Sequence, residues 1–263
     1  MDIQPYYRDR FKDYIVLVAG AGNGIGRSCA ERFSLEGATV LICDIDEKGL
    51  TETSNIIEET GGTTERYVFD IGIKKETDAA VHTMIDKYKK IDVLVYSVGI
   101  VMENLFKDVT EEEWLAQINV NLNGAFYITH CVLKDMLENE FGKIIYISSQ
   151  SGVIGRPTRT AYSASKFGLN GLTQALALEV AEHGINVNAV CPSRIESKMT
   201  NTLLQKRAAY ENKPFEEVKN AYAKTVPIGR LGLPSDVSAL TLFLATEEAK
   251  YITGQFISTS GGR

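Results

Sequence analysis

The chain has 263 residues, 44% of them hydrophobic, which is enough to bury a core as one large α/β domain or two small ones and argues against disorder. Its formal net charge of −6 supplies no broad cationic field, so neither a nucleic-acid partner nor an anionic membrane surface is expected. No apolar run reaches the roughly 18–20 residues of a bilayer span, and the polar, aromatic start Met1–Arg10 does not read as a secretory signal, so a cytoplasmic protein is expected.

The first strand-like run, Tyr14–Ala19, leads into Gly20-Ala21-Gly22-Asn23-Gly24-Ile25-Gly26 and then a helix over Arg27–Glu36. Glycines between a strand and a helix let backbone N–H groups approach a pyrophosphate at the positive helix end, although such a loop can also be a plain tight connection. The second run, Thr39–Cys43, is followed by Asp44, about twenty residues beyond the loop, where a carboxylate can accept hydrogen bonds from ribose hydroxyls and repel a 2′-phosphate. Asn23, Ile45 and Asp46 offer no cation for such a phosphate, so NAD is the expected cofactor rather than NADP. Asp46 suits an N-cap for the helix starting near Glu47. Past the third run, Tyr67–Phe69, Asp70 reads either as another cap or as a partner of the adenine amino group.

The fourth run is Val93–Ser97, and a helix is expected over Glu111–Asn139. The fifth, Lys143–Ser148, brings Ser149 to the carboxyl end of a strand, where open α/β sheets bind ligands. A helix over Thr160–His183 then carries Tyr162-Ser163-Ala164-Ser165-Lys166. Tyr162 and Lys166 are four apart and share a helix face, and an ammonium beside a phenol stabilises the phenolate needed for proton exchange. The sixth run, Asn186–Cys191, enters Pro192-Ser193-Arg194-Ile195-Glu196-Ser197. A polar excursion with two short helical patterns follows, placing a substrate lid at about 193–226. Phe256–Ser258 is the last run. Near-continuous Val/Ile/Leu runs alternating with helices predict one doubly wound Rossmann domain, a parallel sheet with helices on both faces.

The scattered Cys29, Cys43, Cys131 and Cys191 read as buried free thiols, and His82, His130 and His183 lack metal-ligand spacing, so no metal site is expected.

The glycine loop, Ser149 and Tyr162-x-x-x-Lys166 together resemble the short-chain dehydrogenase/reductase family from about Tyr14 to the C-terminus. The resemblance implies hydride transfer between NAD(H) and a secondary alcohol or ketone. In it Tyr162 is the general acid/base, Lys166 lowers the Tyr162 pKa and holds the nicotinamide ribose, Ser149 bonds the substrate oxygen, and Asn121 supports a water relay. Gly20, Asn23, Gly24, Ile25, Gly26 and Asp44 fall to the cofactor, as do Asp70, Ile71 and Gly99. Pro192, Ile195 and Ser197 would border the nicotinamide carboxamide. Three departures stand out: Ala19 for the family's loop Thr, Tyr96-Ser97-Val98-Gly99 for its N-N-A-G, and Ser193 for the Gly after Pro192. The second puts in doubt the family's hydrogen bonds around the fourth strand.

An idle NAD-binding scaffold is the rival reading, countered by the complete set Asn121, Ser149, Tyr162 and Lys166. Arg156, Arg159 and Arg194, with Gln150, border the expected substrate space and suit a small anionic hydroxy compound; a neutral polyol, sugar or cyclic alcohol is the alternative. Apolar positions Phe167, Leu169, Leu172, Leu176 and Leu178 exceed what one sheet contact needs, and with the family's habit of pairing helices they suggest a homotetramer.

Overall fold

The computed structural model describes residues 9–262, so most of the Met1–Arg10 start lies outside it. Strands β1 (Ile15–Ala19), β2 (Thr39–Asp44), β3 (Thr63–Val68), β4 (Val93–Tyr96), β5 (Gly142–Ile147), β6 (Ile185–Pro192) and β7 (Phe256–Thr259) pair in parallel. Their order is β3-β2-β1-β4-β5-β6-β7, so the chain reverses its direction of winding beside β1 and β4. The ligand crevice of an open α/β sheet opens at that point.

Consecutive apolar residues feed two cores because successive side chains point to opposite faces of a strand. Val16, Val18, Val93, Val95, Ile145 and Ile147 pack with α1 (Gly24–Leu35), α2 (Glu47–Glu59) and the late helix Pro234–Ala245. Leu17, Ala19, Leu94, Tyr96, Ile144 and Tyr146 pack on the other face with α3 (Lys74–Tyr88), α5 (Gly124–Glu138) and α6 (Thr160–Val180). Among the described residues no helix is long and apolar enough to cross a membrane.

Three differences from the sequence reading have physical causes. β3 starts at Thr63 rather than Tyr67, because it is an edge strand whose Thr, Glu and Arg side chains meet solvent; a search for wholly apolar runs misses it. The helix expected over Glu111–Asn139 is α4 (Glu111–Ile118) and α5 joined by a five-residue π segment, Asn119–Asn123. Of the thiols, Cys131 is only half-buried and donates to Asp78 Oδ1 at 3.1 Å. The excursion after β6 folds as α7 (Lys198–Glu211) and α8 (Phe215–Lys224), which share a small core of Leu204, Ala208 and Val218. With the late helix as α9, the chain has nine α-helices among the described residues.

Candidate active site

The carboxyl ends of β1, β4, β5 and β6 open into a cleft of about 630 Å³, within the usual range for a small-molecule site. At its β1 side, Asn23 occupies the N-cap of α1 in an extended conformation, and its side chain makes no capping bond. The first amides of α1 are thus not capped by it, the arrangement that suits an anion. Gly20, Asn23, Gly24 and Ile25 line the cleft. Gly26 does not; its role is packing, since a Cβ there would stand 2.0 Å from the Gly20 carbonyl oxygen. Asp44, at the end of β2, accepts from the Gly22 amide at 2.9 Å and the Asp46 amide at 3.0 Å, and it faces the cleft. Asp46 caps α2 by accepting from Gly49 N at 3.1 Å. Asp70 accepts from Gly72 N at 2.8 Å and lines the cleft with Ile71; it does not cap α3, whose N-cap is Ile73, so of its two expected roles the helix cap is not realised. The Arg27 guanidinium, a cation near this end, is drawn instead to the Gly22 and Gly49 carbonyls, Thr53 and Glu52.

Across the cleft, β5 delivers Ser149, and α6 brings Tyr162 and Lys166 to the same wall. Both α6 side chains are buried. Lys166 Nζ donates to the Ile147 carbonyl at 2.9 Å and lies 5.8 Å from the centroid of the Tyr162 ring. Burial pushes the Lys166 ammonium down to about 8, with the Cys191 thiol opposing that fall. Burial also pushes the Tyr162 phenol above its ordinary value, while Ser149 and the Arg159 guanidinium pull it back. Asn121 is wholly buried and does not line the cleft. It accepts from Ile100 N at 2.8 Å and donates to Ile100 O and Ser165 Oγ, both at 3.0 Å. It still borders Lys166: a Cβ built on the cleft-lining Gly99 would stand 3.4 Å from Lys166 Nζ and 3.5 Å from Asn121 Oδ1.

From β6, Pro192, Arg194, Ile195 and Ser197 reach the cleft. Ser197 caps α7 by accepting from Thr200 N at 3.1 Å, and Thr200 Oγ1 donates to the Ile195 carbonyl at 2.7 Å. Arg194 adopts a left-handed backbone, φ 53°, and its guanidinium stacks 4.5 Å from the Tyr222 ring of α8. Arg159 also lines the cleft and is paired with Glu103 at 2.5 Å. Gln150 is folded into the interior and Arg156 is half-buried; neither lines the cleft. The sequence reading did not single out Glu103, Tyr222 or the π segment. The alternating Asn119, Asn121 and Asn123 ahead of Gly124, poor helix formers in an otherwise helical run, were the available signal for the last. Among the described residues no cluster of three His, Cys, Asp or Glu side chains could hold a metal ion.

A short-chain alcohol dehydrogenase family model described as enoyl-(acyl carrier protein) reductase matches residues 20–263. The chain is 37% identical to a 3-oxoacyl-[acyl-carrier-protein] reductase of Thermotoga maritima, over 96% of this chain and 98% of that one. It is 34% identical to the (2S)-[(R)-hydroxy(phenyl)methyl]succinyl-CoA dehydrogenase subunit of Thauera aromatica, over 95% and 96%. Among solved structures, an actinorhodin polyketide ketoreductase with NADPH superposes with a TM-score of 0.92 at 34% identity, covering 97% of this chain and 98% of that one. With fold, family model and relatives in agreement, the chain belongs to the short-chain dehydrogenase/reductase family and is an oxidoreductase of that type.

Proposed function

We propose that the chain moves a hydride between NAD(H) and a secondary alcohol or ketone, with Tyr162 as the acid/base. The observation that carries this reading is the meeting of Ser149, Tyr162 and Lys166 in the cleft that the glycine loop and Asp44 also line. The uncapped start of α1 and the carboxylate of Asp44 fit a dinucleotide, which when bound supplies the hydride acceptor or donor. The α1 amides take the pyrophosphate, Asp44 the adenosine ribose, and Asp70, Ile71 and Gly99 the adjoining walls. Lys166 and the Tyr162 hydroxyl hold the nicotinamide ribose, and Ile195 and Ser197 flank the carboxamide. In the oxidising direction Ser149 bonds the substrate oxygen, the Tyr162 phenolate takes its proton, and the Lys166 charge stabilises that phenolate. Asn121 serves the proton's path beyond Lys166. Reduction reverses each transfer.

The preference for NAD rests on Asp44, although one relative is described with NADPH. Relatives named as ketone reductases support a carbonyl substrate. A small anionic hydroxy compound remains a second reading because Arg159, Arg194 and Arg207 line the cleft; Glu103 lines it as well and holds Arg159, so an anion must compete with that carboxylate. Residues 193–226 act as the lid, whose helix α8 is tied back to the lid's own first residues by Arg194–Tyr222 and by an ion pair of Glu196 with Lys219. Assembly into a homotetramer, through faces that expose Phe126 (47%) and Phe167 (46%), completes the proposal; Leu169 and Leu176 belong to the core instead. Purified protein offered NAD and a panel of secondary alcohols should raise the reduced-nicotinamide absorbance. Its failure to do so with either cofactor, in either direction, would favour the idle scaffold.

A further inference from the structure

The departure of the fourth strand from its family's pattern places Tyr96 at the end of β4, wholly buried, with its hydroxyl donating to the Val120 carbonyl. Val120 is the second residue of the π segment and Asn121 the third. Three successive residues there are held from three different places. Asn119 Nδ2 donates to Gly72 O at 3.0 Å, Val120 O accepts from Tyr96, and the Asn121 amide is locked to Ile100 and Ser165. A π segment is a rare, single-turn insertion in a helix and depends on its surroundings to hold it. Asn119 and Asn121 are fixed by their own side chains, whereas Val120 depends on Tyr96. Space for that hydroxyl comes from Gly124, where a Cβ would stand 2.6 Å from it. Burial holds the Tyr96 phenol well above its ordinary pKa, so it remains a hydrogen-bond donor across the working range.

We propose that Tyr96 is a positioning residue, whose hydroxyl pins the Val120 carbonyl and thereby fixes the π segment that presents Asn121 beside Ser165 and Lys166. The role in turnover rests on the functional reading above. The bond itself does not. The ordinary alternative is a core tyrosine whose hydroxyl has merely found a partner, as Tyr146 has in Thr129 at 2.8 Å.

Tyr96→Phe keeps the ring and deletes the bond. Its kcat should fall about tenfold, with the KM values and the NADH dissociation constant within about twofold, since a positioning contact acts on the reacting geometry rather than on binding. Amide hydrogen exchange across residues 119–125 should speed up while β1 and β4 stay protected. Gly124→Ala should be more damaging in the parent chain than in Tyr96→Phe, where the collision with the hydroxyl is gone and only the 3.2 Å contacts with Ile71 remain. Unchanged kcat with an unchanged exchange pattern would overturn the proposal. So would losses in kcat and cofactor binding that merely follow a general fall in Tm. Absence of turnover in the parent chain would instead overturn the functional reading, and the exchange measurement alone would then decide whether Tyr96 holds the segment.

Discussion

Replacing Asp44 with asparagine removes a charge while keeping an acceptor of nearly the same shape. The two carboxylate oxygens lie 2.9 Å from the Gly22 amide and 3.0 Å from the Asp46 amide, and the asparagine carbonyl can retain one of these bonds. What changes most is the field at the Asp44 end of the cleft, where Arg27 is neutralised by Glu52 and by backbone carbonyls. Two unit charges about 4 Å apart interact by about 4 kcal/mol at an effective dielectric of about 20. Partial exposure of Asp44 and salt reduce that to about 2–3 kcal/mol, or roughly 30- to 150-fold in kcat/KM. The parent chain should therefore prefer NAD over NADP by about that factor. Asp44→Asn should lose most of the preference, chiefly by gaining activity with NADP, and the gap should narrow as salt is raised. Steady-state kcat/KM with both cofactors at fixed pH measures it. Values within about threefold of each other for the parent chain, or a ratio unmoved by Asp44→Asn, would refute the electrostatic argument.

Other perturbations test neighbouring steps. Lys166 sits near 8 against an ordinary 10.5, so between those pH values the unfolded chain binds more protons and this residue's contribution to stability rises with pH. Urea unfolding at pH 7 should show Lys166→Met more stable than the parent by up to about 3 kcal/mol, less the lost bond to Ile147, with the difference shrinking toward pH 10; a destabilised variant would mean the buried ammonium is better compensated than argued. Gly26→Ala forces Cβ to within 2.0 Å of the Gly20 carbonyl and should cost more than about 2 kcal/mol of stability along with NADH affinity, seen as a fall in Tm and in cofactor fluorescence titration. Arg159→Ala should lower kcat/KM for an anionic substrate by about 1–3 kcal/mol more than for neutral alcohols, which lose only the guanidinium's help to the Tyr162 phenol. Equal losses on both would return Arg159 to a structural pairing with Glu103.

Much of the fold was legible because central parallel strands carry unbroken apolar runs. Val16 to Ala19, Val93 to Tyr96 and Ile144 to Ile147 need no structure to be read as buried on both faces. The edge strand β3 was visible only in part, since Thr63 to Arg66 look like a solvent-facing turn until β2 pairs with them. In the site, Ser149, Tyr162, Lys166 and Asp44 were legible from spacing and strand ends, and they meet in one cleft. Charge partners were not. Glu103 is 56 positions from Arg159 and Tyr222 is 28 from Arg194, and no local pattern announces either contact. The same limit hid the partner of Tyr96: the sequence marks it as a departure at a strand end, whereas its bond to Val120 exists only after two elements have packed. Gln150 and Arg156 were placed near the substrate by proximity in sequence, a guide that fails where a turn redirects successive side chains.

In the proposed reaction the Tyr162 phenol exchanges the substrate proton, and Tyr162→Phe removes that hydroxyl alone. The variant should bind NADH with an affinity within a few-fold of the parent, because the cleft's glycine loop and Asp44 are untouched, while its turnover of whichever alcohol or ketone the parent accepts falls by roughly a thousandfold or more. Parallel measurement of NADH fluorescence binding and of reduced-nicotinamide absorbance on the two proteins separates the outcomes. A Tyr162→Phe protein that keeps most of its kcat would contradict the account.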